Sequence, residues 1–189
     1  MLTSRDKKII QFMEDKGLGL TINQAGLMFF PKIFAYDYAR QRLRKLWEMG
    51  VLKRYKSNYS EEFIYYLDKK PSYHDNAVLN VYANFINHGY KIAEFKRELE
   101  LIEGKYRADG IIKAENENEI RTVLIEVDRY SPTNINKYDE VYELRELQRR
   151  YGVFPLVLIL TDVDRTYKSD YFEIVTTDIK CSEFQKVLI

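Results

Sequence analysis

Cysteine and histidine are scarce in this chain, and each shortage removes a class of chemistry. The single cysteine, Cys181, cannot close an internal disulfide and fits a reducing compartment. One cysteine and two histidines, His74 and His88, supply no ligand set for structural zinc. The histidines read more simply as residues that open and close one helix. No Gly-x-x-x-x-Gly-Lys loop is present to cradle nucleotide phosphates. The longest apolar run, Phe154 to Leu160, is far too short to span a bilayer. The opening Met-Leu-Thr-Ser-Arg-Asp-Lys-Lys leads straight into an amphipathic helix, without a secretory apolar region. A cytoplasmic location and no membrane partner are therefore expected. Internal repeats and low-complexity segments are absent from the sequence.

What is present supports a folded core: 189 residues, 46% hydrophobic and 14% aromatic. The net charge of +1 hides a division. Residues 1–70 carry 14 lysines and arginines against 8 acids, a balance of +6, whereas 71–189 carry 16 against 21, a balance of −5. Two domains, 1–70 and 71–189, are expected, with the boundary at Lys69-Lys70-Pro71-Ser72.

In the first domain, Thr3 or Ser4 can cap a helix running to about Lys16, and Thr21 or Asn23 a second, from Gln24 to Phe30, stopped by Pro31. A third helix, from about Tyr36 to Met49, sets Ala39, Leu43, Leu46 and Trp47 on one face. Tyr38, Arg40, Gln41, Arg44 and Lys45 occupy another. Strands at Val51–Tyr55 and Glu62–Leu67 follow, joined by residues 56–60. Three helices and a hairpin resemble a winged helix-turn-helix, with 39–54 similar to its recognition helix and first wing strand. That resemblance implies double-stranded DNA as partner. Helix residues would reach base edges and phosphates, and Lys53, Arg54 and Lys56 would add phosphate contacts. Residues 32–56 hold eight basic and two acidic residues, the cluster that such binding needs. The alternatives are a solvated basic face, or a winged helix used for protein contacts.

In the second domain, a helix over His74–His88 precedes strands at about Lys91–Glu98, Ile111–Ala114, Thr122–Val127 and Phe154–Thr161, and a weaker one near Phe172–Thr176. A long helix is expected over Asn134–Tyr151, with Tyr138, Val141, Leu144, Leu147 and Tyr151 inward. The order is that of an α/β core on a mixed sheet. Within Arg121–Arg129, Val123, Leu124, Ile125 and Val127 form an apolar run interrupted by Glu126 and Asp128. Residues two apart on a strand share a face, so both acids project together. Unpaired buried charge is costly. These acids therefore lie at a sheet edge, pair with cations such as Arg121, Arg129 or Lys137, or hold a metal. A hairpin would bring Asp109 beside them.

An aspartate on one strand and Glu-x-(charged) on the next resemble the PD-(D/E)XK nuclease-like fold. His74-Asp75, Ala108-Asp109, Glu126-Val127-Asp128-Arg129 and a helix carrying Lys137 and Tyr138 further resemble the plasmid replication-relaxation family. That family pairs a winged helix with such a domain and is related to mobilisation relaxases of MobC type. The resemblance implies a role in plasmid replication or conjugative mobilisation, with origin DNA nicked at a metal-dependent site. Asp109 and Glu126 match its acidic metal ligands. Asp128 stands where ordinary nucleases of this fold have lysine, so it is either a third ligand or a departure that Lys137 makes good. An oxygen-only site suits Mg²⁺ or Mn²⁺. Tyrosine-type nicking relaxases are excluded, because they need a histidine cluster. Replication or conjugation proteins and a second copy of the chain are the further partners expected. The alternative is a non-catalytic regulator whose second domain serves dimerisation or recruitment.

Overall fold

The computed structural model describes residues 1–57 and 61–189. It is a mixed α+β chain that divides into two compact units, Met1–Leu79 and Asn80–Ile189, and the division falls inside a helix.

Unit 1 begins with α1 (Ser4–Lys16), whose start is set by a reciprocal cap. The Thr3 hydroxyl accepts from the Asp6 amide, and the Asp6 carboxylate accepts from the Thr3 amide. Gly17, at φ 60, ends the helix. A two-residue strand, β1 (Leu20–Thr21), leads into α2 (Ile22–Phe29), where Thr21 and Gln24 repeat the reciprocal cap. Next come α3 (Ala35–Glu48), β2 (Lys53–Lys56) and β3 (Phe63–Tyr66). The strands form an antiparallel sheet in the order β1-β3-β2. At two residues, β1 is too short to carry a periodic signal in the sequence. The connection expected over 56–60 runs through residues 58–60, which lie outside the described residues.

Ala39, Leu43 and Leu46 bury the inner stripe of α3 completely. Trp47, one residue beyond Leu46, falls at the edge of that stripe and is 36% exposed rather than inward. Its ring lies 3.4 Å from the Arg54 guanidinium. Arg42 projects from the buried side of α3, and its guanidinium donates to both carboxylate oxygens of the fully buried Asp6 on α1. Burial pushes the Asp6 carboxyl up, but the bonds from Arg42 and Thr3 outweigh it and hold the group down at about 2.

Unit 2 takes up the second half of α4 (Tyr73–Asn87) and continues as β4 (Lys91–Leu101), β5 (Tyr106–Glu115), β6 (Ile120–Asp128), α5 (Asn136–Glu143), α6 (Glu146–Tyr151), β7 (Leu156–Thr161), β8 (Ile174–Thr177) and a 3-10 turn at Phe184–Val187. The sheet is mixed, in the order β4-β5-β6-β7-β8: antiparallel through β6, then parallel from β6 to β8. Ile111, Leu124, Val157 and Ile159 turn one face of the sheet toward Tyr138 and Val141 of α5 and Leu147 of α6. The alternate residues Ile112, Val123, Ile125, Leu158 and Leu160 are equally buried. On their side, Tyr82 of α4 meets Phe95 of β4 at 5.1 Å between ring centroids. A strand covered on both faces is apolar throughout, as the β7 sequence required.

The long helix expected over Asn134–Tyr151 is two helices. Arg145, at φ 53, breaks it. The break turns Leu144 out to 49% exposure and returns Leu147 to the core, so Leu144 is not an inward residue. β5 begins at Tyr106 rather than Ile111, which places Asp109 inside the strand instead of at its head.

Replacing Arg42 by alanine leaves Asp6 buried without its cation and is expected to cost unit 1 about 3–5 kcal/mol. Trp47, the sole tryptophan, lies in this unit, so its fluorescence during urea denaturation reads the loss. An unchanged midpoint would refute it. Because the folded value of Asp6 is depressed from 3.8 to about 2, its contribution is complete above the unfolded value and disappears as pH falls through about 2. The Arg42→Ala variant should lack much of that acid-linked loss.

Candidate functional site

The basic face of α3 is open to solvent. Tyr38, Arg40, Gln41, Arg44 and Lys45 are all exposed, as are Lys53 and Lys56 on β2. Two of the arginines have local partners: Arg40 lies 3.2 Å from Asp37, and Arg44 Nε 2.8 Å from Glu48. Exposed pairs at such spacing contribute only about 0.3–0.5 kcal/mol, so a phosphate can displace either carboxylate. Arg54 differs from its neighbours. It is half-buried between the rings of Trp47 and Phe63, at 3.4 and 4.3 Å from the ring centroids, and so joins α3 to the β2–β3 hairpin.

In unit 2 the candidate acids lie at one end of β5 and β6. The last recorded β5–β6 pair is Gly110↔Ile125, so Asp109 and Glu126 stand opposite one another just beyond it. There the Asp109 carboxylate accepts from the Val127 amide at 2.8 Å, doing for β6 what a main-chain carbonyl does elsewhere in the ladder. Glu126 is 7% exposed. Its Oε1 accepts from Lys137 Nζ at 2.7 Å and from the Tyr138 hydroxyl, both on α5. Lys137 Nζ also donates to the Arg107 carbonyl at 3.0 Å. Burial raises the Glu126 carboxyl above its ordinary range, and the Lys137 charge opposes that rise. Burial, followed by the charge of Glu126, lifts the Tyr138 hydroxyl well above its ordinary value.

Asp128 shares the strand but has its own partners. It is 3% exposed and accepts from the hydroxyls of Thr133 and Tyr167, and Arg165 lies 3.3 Å away. The structure thus gathers Asp109, Glu126 and Lys137 and satisfies Asp128 separately. Arg121, one of the cations considered for the acids, instead pairs with Glu119 and donates to the carbonyls of Leu188 and Ile189. Arg165 and Tyr167 escaped the sequence reading, because residues 162–173 show no periodicity. Tyr138 was legible as an apolar-face residue and as part of the family resemblance, not as a donor to Glu126.

Oxygen donors of this kind suit a hard divalent ion, and Asp109 and Glu126 are the acids that would hold one. Among the described residues, no group of three or more histidine, cysteine, aspartate or glutamate side chains is arranged to hold a metal. As it stands, the Glu126 carboxylate is paired with an ammonium and accepts a hydrogen bond from a phenol. No family model and no curated protein matches this chain.

Lys137→Met is expected to cost about 3 kcal/mol at pH 7, because it leaves Glu126 buried with only a phenol. A raised folded value means that Glu126 favours folding below its unfolded range and loses that contribution as pH rises through the folded value. Removing Lys137 pushes that value higher still. The destabilisation, followed by far-ultraviolet circular dichroism in urea, should therefore be smaller at pH 5 than at pH 7. Equal losses at both would show that Glu126 is not the group left exposed to the penalty.

Proposed function

We propose that this protein docks on duplex DNA through unit 1, as a winged helix, and serves a plasmid or other mobile element in replication or conjugative mobilisation. The order α1-β1-α2-α3-β2-β3 with the sheet order β1-β3-β2 supports the winged-helix reading. The observation that carries DNA docking is the solvent face of α3, where Arg40, Gln41, Arg44 and Lys45 are all exposed, as are Lys53 and Lys56 of the hairpin. A helix of this kind fits the major groove, and cations on both elements suit the flanking phosphates. The mobile-element setting rests on the resemblance of the Glu126-Val127-Asp128-Arg129 segment and its companions to replication-relaxation proteins. Within that setting, unit 2 acts as a recruitment or dimerisation domain. Its two buried acids on β6 each carry a separate basic partner, Lys137 for Glu126 and Arg165 for Asp128.

A second reading has its own support. Two acids and a lysine, Asp109, Glu126 and Lys137, meet at one end of β5–β6, the set from which a nuclease-like site is built. In that reading Asp109 and Glu126 hold Mg²⁺ or Mn²⁺, and Lys137 stabilises developing negative charge.

Docking is tested by fluorescence anisotropy on a labelled duplex taken from the DNA flanking the protein's own coding region, at rising NaCl. Each phosphate contact contributes about 0.9 to the slope of log K against log salt. The triple variant Arg40→Ala, Arg44→Ala, Lys45→Ala should therefore lose about 2 to 3 from that slope and weaken binding steeply at low salt. Salt-independent binding, or a slope the variant leaves alone, would remove the docking face. Nicking is tested on supercoiled plasmid with Mg²⁺ or Mn²⁺. Metal-dependent nicking lost in Glu126→Ala supports the second reading, and binding without nicking leaves unit 2 to recruitment.

A further inference from the structure

The turn between α2 and α3 presents side chains that the core of unit 1 does not use. Ile33 is 73% exposed and Phe34 67%, with Tyr36 and Tyr38 at 43% and 48% just beyond. Phe34 holds the N-cap position of α3 in the left-handed region, at φ 57, and makes no side-chain capping bond. Asparagine, aspartate or serine would cap that helix, and glycine would take that backbone without strain. The turn is tightly built. A Cβ on Gly26 of α2 would come within 3.3 Å of the Ala35 carbonyl carbon, so the glycine lets the start of α3 lie close against α2. The Tyr38 amide donates to the Phe34 carbonyl at 3.0 Å, and the two rings meet edge to face at 6.4 Å. A strained, closely held turn that projects two large apolar side chains has the character of a contact surface rather than of slack chain.

Charge says what the surface meets. Lys32 precedes it, and Arg40, Gln41, Arg44 and Lys45 follow along the same helix, all exposed. An apolar tip continuous with a row of cations complements a groove that has phosphates along its edges and apolar groups on its floor. In the major groove the one apolar group presented by the bases is the C5-methyl of thymine, and the first residues of a groove-bound helix lie nearest the base edges.

We propose that Ile33 and Phe34 are specificity-determining residues that pack on thymine C5-methyl groups in the major groove, while the cations of α3 hold the phosphates. This assignment rests on the DNA-docking reading above and adds the base feature that is read.

The test compares the same flanking-DNA duplex with its thymines intact and with every thymine replaced by uracil, which lacks only the methyl group. Wild-type protein should bind the uracil duplex about tenfold more weakly. Ile33→Ala/Phe34→Ala should bind the thymine duplex about tenfold more weakly than wild type and lose little more on uracil. Its salt slope should remain that of wild type, because no phosphate contact is removed. Phe34→Gly keeps the left-handed backbone without the ring, and its Trp47 fluorescence midpoint in urea should match wild type or exceed it while thymine dependence falls. Equal affinity of wild type for both duplexes overturns the assignment but leaves docking intact. Undiminished thymine dependence in the double variant also overturns it. Absence of salt-dependent binding by the wild type removes the docking reading and the assignment together. Loss of a concentration-dependent dimer in the double variant, with thymine dependence unchanged, would give the patch to a second copy of the chain instead.

Discussion

A carboxylate taken out of water has to be satisfied, and each unit of this protein uses that requirement to place a helix. In unit 1 Asp6 closes the cap of α1 and receives the Arg42 guanidinium, so the start of one helix and the middle of another are held by the same side chain. In unit 2 Glu126 does the same for α5, through Lys137 and Tyr138 at successive positions. Hydrophobic burial alone would hold these helices against their neighbours with some freedom to slide and rotate. A buried acid with directional donors removes that freedom, because any shift leaves a charge without its partner.

Spacing on α3 separates the two uses of arginine. Arg40 and Arg44 are one turn apart and share the solvent face, whereas Arg42, midway between them, points to the opposite side and into the ion pair with Asp6. Arg54 on β2 takes a third role, in which two aromatic rings rather than a carboxylate surround the guanidinium. Counting basic residues over 32–56 treats all of them as alike. Their surroundings divide them into groups that hold the fold and groups that remain available to a polyanion.

Most elements were legible because their signals are local. Caps at Thr3 and Thr21, the stop at Pro31, and the apolar run of β7 each announce an element within a few residues. The meeting of Asp109, Glu126 and Lys137 was foreseeable from one hairpin and one helix. Two partners of Asp128, Arg165 and Tyr167, were not, because they come from a stretch without periodicity, more than thirty residues along the chain. The break at Arg145 was hidden for a different reason. Leu144 and Leu147 fit one helical stripe, and no proline or glycine marks the left-handed residue between them. Phe34 escaped as well, since nothing about a phenylalanine announces a positive φ.

The mixed sheet of unit 2 also implies an order of assembly. β4, β5 and β6 follow one another through short turns, so their antiparallel pairing closes small loops at little entropic cost. The pairing of β6 with β7 is parallel and waits for the whole α5–α6 crossover, and β8 waits for the segment after it. β6 is the seam between these two halves, and Glu126 and Asp128 lie on the strand whose open edge waits for β7. Glu126 meets its donors when the crossover packs, while Asp128 must await the strap beyond β7. Until then the chain carries two acids on an unfinished sheet edge, where water and charge oppose pairing with another molecule. The residues that are costliest to bury are thus the ones that guard the sheet while it is incomplete.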